Sequence, residues 1–227
     1  MKNLAIIPAR SGSRGLQDKN IKLLNAKPLI KYSIDAAIDS ECFDTIMVST
    51  DSKSYAKIAS ELGAEVPFLR SKLTSSDQAS SWEVVLEVID KYSEMGKEYD
   101  TFCLLQPTSP LRNGQDIRNA YSIMSENHAI SVQSVTELDH PLAWCGKLGD
   151  KGSLLGFISR EADNRRQCQE KYFRPNGAIY IADIANFRKD SFLYRDGCYA
   201  YIMPRERSID IDTEVDFKLA EFFMNEL

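Results

Sequence analysis

The segment Pro8-Ala9-Arg10-Ser11-Gly12-Ser13-Arg14-Gly15-Leu16, followed by Lys19 and Asn20, carries the side chains of a phosphate cradle. Gly12 and Gly15 let backbone amides approach a polyphosphate, and the serine hydroxyls add donors. Arg10 and Lys19 supply charge to hold it and to stabilise what develops during transfer. The spacing excludes two familiar glycine loops. Gly-x-x-x-x-Gly-Lys-Ser/Thr fails because Lys19 follows Gly15 by four and precedes Asn20, and Gly-x-Gly-x-x-Gly lacks its first element. The competing reading is a polar turn with its charges in water.

Ser208-Ile209-Asp210-Ile211-Asp212-Thr213-Glu214 is the second candidate. In an extended segment Asp210 and Asp212 share one face while Ile209 and Ile211 turn to the core. Two hard oxygen ligands suit Mg²⁺, for which Mn²⁺ could substitute; Mg²⁺ takes one or two carboxylates, waters and substrate phosphates. Capping of a following helix by Asp212 or Thr213 is the alternative, and it accounts for one acid better than for both. Gln106-Pro107-Thr108-Ser109-Pro110-Leu111-Arg112 leaves an apolar run where a polar side chain such as Gln106 could hydrogen-bond a sugar, or where a stiff turn could merely connect two elements. Arg165-Arg166 and Arg174-Pro175-Asn176-Gly177 gather guanidinium groups suited to a carboxylate, against the commoner reading of a solvated basic surface. His128 and His140 are isolated, which favours surface roles over metal ligation.

These residues need a scaffold, and short apolar runs alternating with helical patterns supply one. Strands are expected at Leu4 to Pro8, Thr45 to Ser49, Glu65 to Leu69, Thr101 to Gln106, Ile130 to Val135, Ala178 to Ala182 and Tyr199 to Met203. Ile30, Ile34, Ala37 and Ile38 share one helical face, as do Trp82, Val85, Ile89 and Tyr92, and Glu214 to Leu227 reads as a closing amphipathic helix. The fold class is therefore α/β, a doubly wound, mostly parallel sheet, with ligands in the crevice at the strands' carboxyl ends. The stretch at about 137–175 breaks the rhythm and reads as an inserted arm within a single domain, 1–227.

The 227 residues carry 28 basic and 33 acidic side chains, a net charge of −5, which disfavours a nucleic-acid partner. The five scattered cysteines read as reduced thiols. No run approaches the apolar length of a membrane span, and the start, Met1-Lys2-Asn3 before Leu4-Ala5-Ile6-Ile7-Pro8, is too short for a signal peptide, so a cytoplasmic location is expected.

Taken together, Ile7 to Gly15, Lys19-Asn20, Leu105 to Arg112, Arg174 to Tyr180 and Ser208 to Thr213 resemble, in order and along essentially the whole chain, the CMP-sialic acid synthetases, or N-acylneuraminate cytidylyltransferases. The resemblance implies a sheet of nucleotidyltransferase type whose inserted arm serves dimerisation. It implies transfer of CMP from CTP to the anomeric hydroxyl of a 2-keto sugar acid. Arg10, Ser13 and Lys19 would hold phosphates, and Asn20, Arg70, Ala79 and Ser81 would surround the cytidine. Asp210 and Asp212 would carry the metal, with Arg10, Lys19 and Asp212 serving catalysis. Gln106, Arg166, Arg174, Asn176 and Tyr180 match sugar-pocket positions, and Arg166 would serve the site of a partner in a homodimer. The chain departs from the family pattern at His140-Pro141-Leu142-Ala143, where relatives have a final lysine, and at Phe192-Leu193, where some have paired phenylalanines. The rival substrates are legionaminate, pseudaminate and 3-deoxy-manno-octulosonate. Rivals of other classes are a nucleotide-binding regulatory protein and an NAD-dependent oxidoreductase, the latter without its fingerprint.

Overall fold

A computed structural model describes residues 1–12, 16–158, 165 and 169–226. Among the described residues eight strands are formed: β1 (Asn3–Pro8), β2 (Leu23–Leu24), β3 (Lys27–Pro28), β4 (Thr45–Ser49), β5 (Thr101–Leu104), β6 (Ser131–Glu137), β7 (Phe173–Asp183) and β8 (Cys198–Ile202). The α-helices of the described residues are α1 (Leu29–Ser40), α2 (Lys53–Glu61), α3 (Ser81–Glu94), α4 (Gly114–Glu126), α5 (Ile184–Lys189) and α6 (Glu214–Glu226). The main sheet has the order β4-β1-β5-β7-β6-β8, and β2 and β3 make a small separate hairpin. β1 runs parallel to β4 and β5, and β6 parallel to β8, while β7 is antiparallel to both its neighbours.

Alternation along β1 explains why helices cover both faces. Ala5 and Ile7 join Ile30 and Ile34 of α1, Tyr55 of α2 and Ile117 and Met124 of α4 in one core. Leu4 and Ile6 join Val85, Val88, Ile89 and Tyr92 of α3 and Phe187 of α5 in the other. Each such aliphatic side chain, moved from water to the interior, contributes about 1.5–3 kcal/mol. The doubly wound, mostly parallel architecture expected from the sequence is the one observed.

Two strand expectations change. Glu65 to Leu69 makes only one bridge, to Met47, because Pro67 has no N–H with which to continue a ladder. β7 begins at Phe173, not Ala178, so Arg174-Pro175-Asn176-Gly177 lies inside a strand instead of before it. The register between β6 and β7 slips between Gln133, opposite Tyr180, and Val135, opposite Pro175. Gly177, at φ +78°, takes the bend. Ser134 fills the irregularity: its hydroxyl donates to Asn176 Oδ1 (2.6 Å) and accepts from the Ile179 amide (2.8 Å).

Among the described residues between β6 and β7, Leu148, Leu154 and Leu155 are largely exposed.

Candidate active site

The carboxyl end of β1 and the chain just after it, the loop before α3, the start of that helix and Asp212 enclose a cavity of about 340 Å³, comparable to the lower end of small-molecule sites. Arg10, Lys19, Asn20, Arg70, Ala79, Ser81 and Asp212 all line it, with Thr74, Ser76 and Asp77 between them. Local chemistry explains the placements. Arg10 leaves the end of β1, and its carbonyl accepts the Asn20 side-chain amide at 3.0 Å, which turns the chain back after the loop. Asp51, just past β4, accepts the Ser11 amide at 2.9 Å and the Ser11 hydroxyl at 3.1 Å. Ser80 caps α3 in a reciprocal pair with Glu83, which sets Ser81 at the helix's first position.

Arg70 is almost fully buried; its Nε donates to Ser49 Oγ (3.0 Å) and its Nη2 to the Ser49 carbonyl (2.6 Å). Burial pulls its pKa down to about 10, helped by the like charge of Arg10 and resisted by Asp51 and Glu87. It remains a cation at neutral pH. Arg10 is held by Asp77 at 2.5 Å, and Lys19 by Asp212 at 3.1 Å and the Ile211 carbonyl at 2.6 Å. Arg10 and Lys19 are thus each paired with a carboxylate, a place that a polyphosphate could take. The loop at 71–74 is fixed by Glu87, which accepts the Ser71 amide and hydroxyl, the Thr74 hydroxyl and Lys91 Nζ.

Beside this cavity the Gly177 bend brings the second half of the site together. A side chain at Gly177 would place its Cβ 2.8 Å from Gln106 Oε1 and 3.5 Å from Asp210 Oδ2, so the three residues meet at this bend. Asp210 is half-buried. Burial raises its pKa and the charge of Asp212 adds to this, while hydrogen bonding from Thr108 and the charges of Lys19 and Arg174 oppose it. Asp212 is 75% exposed at its side chain and lines the cavity described above. It does not cap α6: Thr213 Oγ1 accepts the Asp216 amide, and Asp216 accepts the Thr213 amide in return. Both acids of the sequence motif are therefore left for other work. Among the described residues no cluster of three or more His, Cys, Asp and Glu side chains is placed to hold a metal.

Tyr180 stands opposite Leu104 and Gln133 in the sheet, edge-on to Trp82 at 5.6 Å. Burial, followed by the neighbouring Tyr194 and Asp210, pushes its phenol up to about 12, so it is a hydrogen-bond donor at neutral pH. Arg174 is exposed at the outer end of β7 and lines a different cavity, with Thr136, Arg205 and Ser208. Asn176 is buried, with its amide donating to Ser208 Oγ at 2.9 Å and its Oδ1 bound by Ser134. Its side chain ties strands together rather than facing open space. Ser13 and Arg166 lie outside the described residues.

A cytidylyltransferase family model matches residues 4–223. The chain belongs to the cytidylyltransferase family. Within this family it is 38% identical over 219 residues to the N-acylneuraminate cytidylyltransferase of Streptococcus agalactiae, covering 96% of this chain and 52% of that one. The chain thus spans about half the length of that relative. It is 37% identical to the CMP-N,N'-diacetyllegionaminic acid synthase of Legionella pneumophila, covering 99% of this chain and 97% of the relative. To the pseudaminic acid cytidylyltransferase of Campylobacter jejuni it is 33% identical, covering 97% and 95%. The fold matches the structure of CMP:2-keto-3-deoxy-manno-octonic acid synthetase complexed with CTP, with a TM-score of 0.74 over 100% of this chain and 99% of that one, at 17% identity.

Sequence reasoning missed Asp51, Glu87, Asp77, Thr74 and Ser76. Only Asp51 left a signal, standing just past β4 as Arg10 stands past β1; the others sit in a loop and a helix whose packing no local pattern reveals.

Proposed function

We propose that this cytidylyltransferase transfers CMP from CTP to the anomeric hydroxyl of a sialic acid, N-acetylneuraminate, releasing pyrophosphate. The observation that carries this reading is the convergence of Arg10, Lys19, Asn20, Arg70, Ala79, Ser81 and Asp212 on one cavity. Asn20, Arg70, Ala79 and Ser81 take the cytidine, and Arg10, Lys19 and Ser13 take the phosphates. Gln106 and Tyr180 face the sugar acid, Arg174 and Arg166 meet its carboxylate, and Asn176 supports them from within the sheet.

Asp210 and Asp212 fit Mg²⁺, or Mn²⁺ in its place, which when bound neutralises phosphate oxygens as a Lewis acid. On nucleotide binding Arg10 exchanges Asp77, and Lys19 exchanges Asp212, for phosphate oxygens. The sugar hydroxyl then attacks the α-phosphorus, its proton passes to a water beside Asp212, and the two cations stabilise the departing pyrophosphate. Positioning supplies most of the acceleration.

The working unit is a homodimer whose arm, at about 137–175, carries Arg166 to the partner's site. Among the described residues no helix is long and apolar enough to cross a membrane. A second reading, the same transfer to legionaminate or pseudaminate, is favoured by the relatives named for those acids, which match end to end. Ala143 in place of a lysine bears on the sugar's identity without selecting among these acids.

Pyrophosphate release measured for CTP, UTP, ATP and GTP against N-acetylneuraminate, legionaminate, pseudaminate and 3-deoxy-manno-octulosonate tests all of this. CTP with N-acetylneuraminate should give the highest kcat/KM. UTP should fail because it offers a carbonyl where cytosine offers an amino donor, leaving polar groups unpaired. A maximum with another acid would move the substrate. No release with any pair, despite CTP binding, would make the chain a nucleotide-binding regulator.

A further inference from the structure

One buried carboxylate belongs to neither cavity. Asp116 is fully buried in the first turn of α4 and collects four donors. Its Oδ2 accepts from the Asn113 amide (3.0 Å) and Arg207 Nε (3.2 Å); its Oδ1 accepts from Arg207 Nη2 (2.6 Å) and the Tyr201 hydroxyl (2.8 Å). The bidentate pairing fixes the orientation of the Arg207 guanidinium as well as its distance. Arg207 ends a short helical turn, Arg205–Arg207, and the chain from Ser208 to Ile211 then runs on without regular structure to the two acids of the site. That run is also held further along: Asn176 donates to Ser208 Oγ, the Ile211 amide donates to the Thr108 carbonyl at 2.8 Å, Lys19 donates to the Ile211 carbonyl and to Asp212, the Asp212 amide donates to Asp216, and Ile211 is buried in the core against α6.

Arg112, whose guanidinium is completely buried, feels the charge of the same carboxylate. Arg112 donates to the carbonyls of Ala178 (3.0 Å) and Gln106 (3.1 Å), thereby holding the chain at both Gln106 and the Gly177 bend. Asp116 therefore stands between one arginine that fixes Gln106 and another that precedes Asp210 by three residues.

We propose that Asp116 and Arg207 are positioning residues that set the Ser208 to Asp212 segment, and so both candidate metal carboxylates, against the nucleotide cavity. The metal part of this inference rests on the function proposed above; the positioning part does not. Arg207→Gln removes the charge of the clamp while the Asn113 amide and the Tyr201 hydroxyl still donate to Asp116, so the variant should fold.

Amide hydrogen exchange in the ligand-free protein is the direct measure. In Arg207→Gln the protection of the Ile211 amide should fall on the order of tenfold more than that of amides in β1 and β5, with Arg207→Lys intermediate. An equal fall in all three regions, or none, would overturn the inference, since a pair that serves only global stability loosens everything together. If Arg207→Gln does not fold, Tyr201→Phe, which removes one donor and no charge, is read in the same way. As a second readout, Mn²⁺ binding in the presence of CTP, followed by the resonance of free Mn²⁺, should weaken several-fold in Arg207→Gln. Unchanged binding there would refute the coupling to the metal carboxylates. Unchanged binding in Asp210→Asn would instead refute the metal assignment itself, leaving the exchange result to decide the positioning role.

Discussion

Lys19 Nζ lies 3.1 Å from Asp212 Oδ1, joining the loop after β1 to the acidic segment before α6, 193 residues away in the chain. The pair is lopsided: the lysine side chain is 13% exposed and the aspartate 75%. So exposed a partner adds little stability, at most about 1 kcal/mol. Its value is in placing a cation and an anion at one rim.

Asp212→Asn should accordingly cut kcat by on the order of a hundredfold, as loss of one strong electrostatic stabiliser does, while leaving the melting temperature nearly unchanged. Asp216→Ala should do the opposite, costing about 1 kcal/mol of stability through the lost cap and leaving the dependence on divalent metal intact. Turnover and thermal unfolding measured on both variants separate the two acids. Wild-type turnover in Asp212→Asn would remove that residue from the reaction.

Gly177→Ala should be harmful twice. The positive φ costs an alanine on the order of 1–2 kcal/mol, and its Cβ would press on Gln106 Oε1. Because the nucleotide cavity has no lining from this bend, KM for the sugar acid should rise while the affinity for CTP holds, as checked by steady-state kinetics and calorimetry. A loss confined to CTP would contradict this division of the site.

Glu87 gives a pH dependence. Burial raises its pKa, but hydrogen bonds from Lys91, Thr74 and Ser71 outweigh that and bring it from 4.5 to about 2. A carboxylate with a depressed folded value stabilises fully above its unfolded pKa and loses that contribution as pH falls, here between about 4.5 and about 2. Urea midpoints should therefore drop over that interval in the wild-type protein and less steeply in Glu87→Gln, which should already be weaker at pH 7. Parallel curves for the two proteins would show that the charge of Glu87 carries no such share.

The shared-site dimer predicts complementation. Lys19→Ala and Arg166→Ala should each be inactive, and after subunit exchange the mixture should recover activity, because some heterodimers contain one site with both residues intact. Absence of recovery, with exchange demonstrated and both variants folded, would assign Arg166 to its own chain.

Much of the scaffold was written locally. β1, β4 and β5 are short apolar runs whose two faces are both covered, so their sequence needs no partner to be recognised, and the loop of Arg10 follows wherever such a strand ends. The pairing of Asp210 with Asp212 was equally visible, and so was the doubt over helix capping, which the Thr213–Asp216 pair resolves. The loop at 70–81 gave no physical signal; Arg70, Ala79 and Ser81 were named through family resemblance alone. Tertiary structure decided what depends on contacts between distant segments. The bend at Gly177 arises only when β6 and β7 pair out of step, and the partners of Arg10, Asp116 and Arg112 come from 67, 91 and 66 residues away. Strand periodicity is fixed by each residue's neighbours along the chain, whereas the partner of a buried charge is fixed by which loops the finished sheet brings to the same end.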